Sequence, residues 1–273
     1  MAMKKAMNAW GFPGGTSLDE MLRLTKDAGF EGIELAISEE GLLTLSTPKS
    51  AIKSYRDKIE SFGLEAPSLA SGLGWRYPLS SPDAATLKKG MTAVEKSLEA
   101  ASALGAKTVL VVPAVVTEEV GYAQAYERSQ KAIRQLAPKA KDLGVNIGVE
   151  NVWNKFLLSP LEFRRYLEEI GSDFVRAYFD VGNVLLFAYP DDWIRVLAEY
   201  IGCVHVKDFS TKIGNITGFT YLLQGDVNWP RVMEAFKAVR YNGFIVAELG
   251  AYRFFPTKMI SDTGAALAKI LSL

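Results

Sequence analysis

Four side chains able to hold a divalent cation stand at the ends of apolar runs. VNIGVE ends in Glu150, RAYFD in Asp180 and FIVAE in Glu248, while CVHVKD carries His205 near its end. Short apolar runs rich in β-branched residues read as strands buried on both faces. Taken singly, each residue has a plainer reading. An acidic group at a strand end commonly caps the next helix or accepts loop hydrogen bonds. A lone histidine is commonly a satisfied core residue. His205 is, however, the only histidine of 273 residues, and an imidazole in an apolar strand needs a polar partner. Three carboxylates that meet repel one another unless a cation lies between them. The joint reading is one divalent metal ion per chain, held by Glu150, Asp180, His205 and Glu248. The donor set is mostly hard oxygen, which favours Mn²⁺, with Mg²⁺, Co²⁺ or Zn²⁺ as alternatives.

These residues need strands that end at one mouth, and the rest of the chain supplies them. Strand-like runs fall at 6–10, 32–37, 66–70, 108–112, 146–150, 176–180, 203–207 and 244–248. Segments with helical spacing separate them. Ser17 with Glu20 forms a capping box, Gly29, Gly63, Gly105 and Gly144 follow helical stretches, and Ser159-Pro160 opens another. Pro138 is expected to kink or divide the helix at 118–143. Eight strands alternating with eight helices imply a (β/α)₈ TIM barrel, a single domain over 1–273. An open doubly wound sheet would want a GxGxxG phosphate loop, and none is present. In such barrels the functional mouth lies at the C-terminal strand ends.

Six motifs carry a resemblance. GFEGIEL (29–35), LGAKTVLVVP (104–113), GVEN (148–151), FDVGN (179–183), HVKD (205–208) and QGDVNW (224–229) resemble the xylose-isomerase-like sugar and sugar-phosphate isomerase/epimerase barrels. That family includes D-tagatose 3-epimerases and L-ribulose-5-phosphate (L-xylulose-5-phosphate) 3-epimerases. The resemblance spans nearly the whole chain. It implies that Glu150, Asp180, His205 and Glu248 are the metal ligands and that Glu150 and Glu248 are the catalytic acid/base pair. Asn183 stands where the free-sugar enzymes usually carry histidine, and Phe156 where they carry glutamate. They also place an arginine soon after the strand-seven histidine, which is not evident here. The DVGN and HVKD forms are closer to the sugar-phosphate branch.

The chemistry implied is proton transfer next to a carbonyl. A Lewis-acid cation stabilises the enediolate of a ketose, and a carboxylate moves the proton. Bases on opposite faces of the planar enediolate invert C3, giving a ketose or ketose-phosphate 3-epimerase. Return of the proton to the adjacent carbon gives an aldose–ketose isomerase. An inosose- or dehydroshikimate-type dehydratase needs the same cation and base. A non-catalytic sugar-binding barrel is a further reading, although binding alone needs no second base. A multi-zinc endonuclease on this scaffold would need many histidines. Substrate contacts are expected from Asn183, from Lys207 through its shared parity with His205, from Glu34, read as ending the second strand, and from Trp10. Trp10, Phe12, Trp75 and Trp153 are candidate pocket walls. Cys203 reads as core, and SGLGW (71–75) as a flexible loop.

Bulk composition narrows the partners. Lys plus Arg and Asp plus Glu are 31 each, so the net charge is zero. A neutral chain lacks the electrostatic footprint of a nucleic-acid or anionic-membrane binder. A small sugar or sugar phosphate is the expected partner, and a homo-oligomer is allowed. One cysteine permits no internal disulfide, and the N-terminal apolar run is too short for a signal core. The expected location is the cytoplasm.

Overall fold

The computed structural model describes residues 3–273. The barrel strands are β1 (Lys4–Asn8), β2 (Gly32–Ile37), β3 (Ser68–Ser71), β4 (Thr108–Val111), β5 (Asn146–Glu150), β6 (Val175–Asp180) and β7 (Ile201–Val206). A two-stranded antiparallel excursion follows, β8 (Asp208–Phe209) with β9 (Phe219–Thr220). β10 (Phe244–Ala247) completes the barrel. The eight barrel strands close in the order β1-β10-β7-β6-β5-β4-β3-β2. Every pair is parallel, so all C-terminal strand ends share one mouth. The expected TIM barrel is the fold observed.

Two apolar regions hold it together. A large one lies between strands and helices, with Leu22, Ile33, Leu98, Ile147, Phe163, Trp193 and Phe236 fully or nearly fully buried. A small one fills the barrel itself: Ala6, Leu110, Val112, Tyr178, Cys203 and Val246. Burying such side chains contributes roughly 1.5–3 kcal/mol each. Cys203 is therefore core. The helices start and stop on local signals. Ser17 Oγ accepts from Glu20 N, and Ser159 caps the helix Pro160–Ile170. Gly144, at φ 64°, ends the helix Tyr122–Leu143 in the left-handed region that glycine tolerates.

Several expectations shift. The helix Tyr122–Leu143 runs unbroken through Pro138. Pro138 and Arg134 are both exposed, so water can satisfy the carbonyl that proline leaves unbonded. The SGLGW segment is not a free loop but includes a helical turn, Leu73–Arg76. β1 ends at Asn8, not at residue 10. Asn8 Oδ1 accepts from Trp10 N and turns the chain into a 3₁₀ helix, Ala9–Gly11.

Asp208 anchors the excursion after β7. Its buried carboxylate accepts from Phe209 N (2.9 Å), Val227 N (3.1 Å), Leu223 N (3.0 Å) and Trp229 Nε1 (3.0 Å). The QGDVNW motif owes its glycine to this approach, since a Cβ on Gly225 would lie 2.2 Å from Asp208 Oδ1. Asp208→Ala is expected to destabilise the fold by roughly 3 kcal/mol or more, because several buried donors lose their acceptor together. Denaturant midpoints of the two proteins check this; a change under about 0.5 kcal/mol, usual for a surface substitution, would show that the excursion does not depend on Asp208.

Candidate metal centre

The barrel register brings the four candidate ligands together. Asp180 pairs with His205 across β6 and β7, and Glu150 ends β5 opposite Tyr178. Ala247 pairs with Val206, and Glu248, one residue on, donates its N–H to Val206 O at 3.0 Å. One ligand atom from each of Glu150, Asp180, His205 and Glu248 lies within 4.8 Å of all the others. Glu150, Asp180 and His205 are buried, and Glu248 opens partly to the mouth.

The polar groups of this cluster are unevenly satisfied. His205 Nε2 is hydrogen-bonded to Glu34 Oε2 at 2.7 Å. His205 Nδ1 is buried without a hydrogen-bond partner, 3.6 Å from Glu248 Oε2 and 3.9 Å from Glu150 Oε1. A buried ring nitrogen with no partner, aimed among carboxylates, fits a hard divalent cation. The donor set fits it too. Lys207 Nζ donates to Asp180 Oδ2 at 2.5 Å and also to Glu248 Oε2. Burial and the Glu248 charge push the Glu150 carboxyl up to about 8. Burial acts the same way on Glu248, but the Lys207 and His205 charges outweigh it and hold that carboxyl below the usual range. Burial raises Asp180 above its ordinary value.

The motifs around the candidate ligands lock the strand ends. Asn151 Oδ1 accepts from Asp180 N (2.8 Å), and Asn151 Nδ2 donates to Asp180 O (2.9 Å). Asn183 Nδ2 donates to Asn151 O (2.9 Å), and Asp180 Oδ1 caps Asn183 N (2.8 Å). Asp180 thus serves as a helix cap as well as a candidate ligand. Asn183 lines the pocket, yet its amide nitrogen is engaged in holding GVEN against FDVGN.

Glu34 requires a correction. It does not reach the mouth, because β2 continues three residues beyond it to Ile37. It is fully buried, beneath the ligand cluster. Its carboxylate accepts from Asn8 Nδ2 (2.5 Å), Ser68 Oγ (2.6 Å) and the Tyr178 hydroxyl, and it meets His205 Nε2. Burial opposes its ionisation, but the His205 charge and these hydrogen bonds draw its carboxyl below the ordinary value. Glu34 therefore positions the imidazole and turns Nδ1 toward the carboxylates. Glu34→Gln is expected to weaken Mn²⁺ binding by roughly 10–100-fold, the usual cost of disturbing a group behind a ligand. Calorimetric titration of both proteins measures this; unchanged affinity would separate Glu34 from the site.

Above the cluster lies a cavity of about 510 Å³. Trp10, Trp75, Trp153, Asn183, Lys207 and Glu248 line it. Of the expected walls, Phe12 alone is absent, being buried in the core. Another part of the wall was not foreseen: Ile216, Phe219, Thr220 and Tyr221, all from the β8–β9 excursion. That segment has no run of regular apolar period, so only its position after the His205 strand points to the mouth.

A sequence family described as xylose isomerase-like TIM barrel matches residues 22–270. The chain belongs to this family. Among its relatives, the L-ribulose-5-phosphate 3-epimerase UlaE of Escherichia coli (strain SE11) is 25% identical over 242 residues, covering 87% of this chain and 84% of that protein. An L-ribulose 3-epimerase structure superposes with a TM-score of 0.82 at 19% identity, covering 99% of this chain and 95% of that one. D-psicose 3-epimerase of Clostridium cellulolyticum H10, solved with D-tagatose, gives 0.79 at 18% identity, covering 98% of both chains. The structural likenesses establish the shared fold. No helix among the described residues is long and apolar enough to cross a membrane.

Proposed function

We propose that this barrel is a divalent-cation-dependent 3-epimerase of ketoses or ketose phosphates. One observation carries the reading. Two glutamates, Glu150 and Glu248, face the same buried ring nitrogen from strands separated by β6 and β7. Two carboxylates placed on opposite sides of one site can serve the two faces of a planar enediolate. Glu248, held by Lys207, takes the proton from the carbon next to the carbonyl. Glu150 returns a proton to the opposite face, and the reverse reaction exchanges the roles. Glu150, Asp180, His205 and Glu248 would hold the cation, with Mn²⁺ the metal the donor set favours. When bound, the cation supplies Lewis-acid stabilisation of the negative charge that develops on the substrate oxygens. Lys207 holds Asp180 and Glu248 in place. The 3-epimerase names of the relatives support the reading.

The test is turnover in D₂O with Mn²⁺ and a panel of ketoses and ketose phosphates, read by NMR. Deuterium at C3 with an inverted product is expected. Deuterium at C1 alone would make the protein an aldose–ketose isomerase. Water loss from a cyclic polyol ketone, with no C3 exchange in any ketose, would make it a dehydratase.

A further inference from the structure

Resting on the epimerase reading, we infer that the substrate is a neutral keto-sugar bearing a second ring, a ketose disaccharide or keto-glycoside, and not a phosphate ester. Among the described residues, Lys207 is the sole cationic side chain lining the 510 Å³ cavity. Its ammonium is bonded to both Asp180 and Glu248. It therefore sits inside the ligand cluster and not at the outer rim, where a phosphate on the far end of a ketose would lie. Arg76, next to Trp75 in sequence, ion-pairs with Glu39 and is absent from the lining. A phosphate dianion entering here would meet the Glu248 carboxylate and, among the lining residues, no free guanidinium or ammonium, the groups that ordinarily bind it.

The outer walls suit a different substituent. Trp10 and Trp75 leave 41% and 46% of their surfaces open, and Ile216 leaves 64%. Exposed apolar surface gathered at one cavity marks a ligand groove. Trp153 is fixed by donating Nε1–H to Asn183 O at 2.7 Å, and its ring packs on Phe219 at 5.0 Å. Indole rings offer flat faces to the C–H side of a pyranose ring. The cavity falls in the range of about 300–1,000 Å³ that holds drug-sized ligands, more room than one ketose fills. With C2 and C3 at the glutamates, the C6 end points away from them, toward the aromatic rim.

The test ranks the D-2-ketohexoses by C3 deuterium exchange with Mn²⁺-loaded protein. The preferred one is then compared with its 6-phosphate and its 6-O-glucosyl derivative, which for D-fructose is isomaltulose. The expected result is a kcat/KM for the glucosyl form at least about tenfold above that for the 6-phosphate, with stacking as the source of the gain. Excess inorganic phosphate is expected not to compete. Trp75→Ala is expected to lower kcat/KM for the glucosyl form by about 3–10-fold, and by less for the bare ketose. A preference for the 6-phosphate, or competition by inorganic phosphate, would overturn the inference while leaving the epimerase reading intact. So would a preference for the bare ketose. C3 exchange with no ketose at all would instead overturn the epimerase reading, and the inference with it.

Discussion

Glu248→Gln and Glu150→Gln are each expected to lower turnover by roughly 10²–10⁴-fold, the span that a positioned acid or base contributes. Glutamine keeps the shape and one oxygen but takes up no proton at neutral pH. Both glutamates belong to the ligand cluster, so lost turnover alone does not separate catalysis from cation binding. The separating assay uses variants shown to retain Mn²⁺ and follows deuterium uptake from each epimer. A variant with one base still exchanges the proton of the epimer facing the remaining glutamate, without completing inversion. Equal and complete loss of exchange from both epimers in a metal-loaded variant would mean that the two carboxylates do not divide the faces between them.

The second large effect concerns strand β7, where two interior residues have opposite expectations. His205→Ala is expected to weaken Mn²⁺ binding by more than the roughly 10–100-fold that a change behind a ligand costs. It removes the nitrogen aimed at the carboxylates and also leaves Glu34, with its several donors, without its imidazole. Cys203→Ala lies two residues deeper, in the small barrel core beside Tyr178 and Val246. It is expected to cost stability through lost packing and to leave Mn²⁺ affinity within a few-fold of the parent, about 1 kcal/mol at most. Parallel calorimetric titrations decide between them, and equal losses would reverse the assignment of β7.

The site was legible where strand ends carry polar residues against an apolar background. Glu150 and Asp180 end their strands as expected, and Glu248 lies one residue past β10. His205 stood out because a lone histidine in CVHV has no reason to be apolar. Glu34 was misplaced for the same reason in reverse. It was assigned to a strand end although the run read at 32–37 continues past it, as β2 does, and its partners Asn8, Ser68, Tyr178 and His205 come from four other strands. No local pattern encodes a network assembled across a barrel. Trp10 was placed on a strand because AMNAW alternates well enough; the Asn8 side chain that ends the strand acts through a hydrogen bond, not through hydrophobic period. The pocket wall at Ile216, Phe219, Thr220 and Tyr221 was out of reach because its fold depends on the distant acceptor Asp208. The barrel itself was accessible because each βα unit carries its own start and stop signals.

The most direct measurement is anomalous diffraction at the manganese edge from crystals of the protein grown with Mn²⁺. The account predicts one peak per chain, contacted by one atom from each of Glu150, Asp180, His205 and Glu248, with His205 engaged through Nδ1. A peak elsewhere, a second ion in the barrel mouth, or no peak at saturating Mn²⁺ would contradict it.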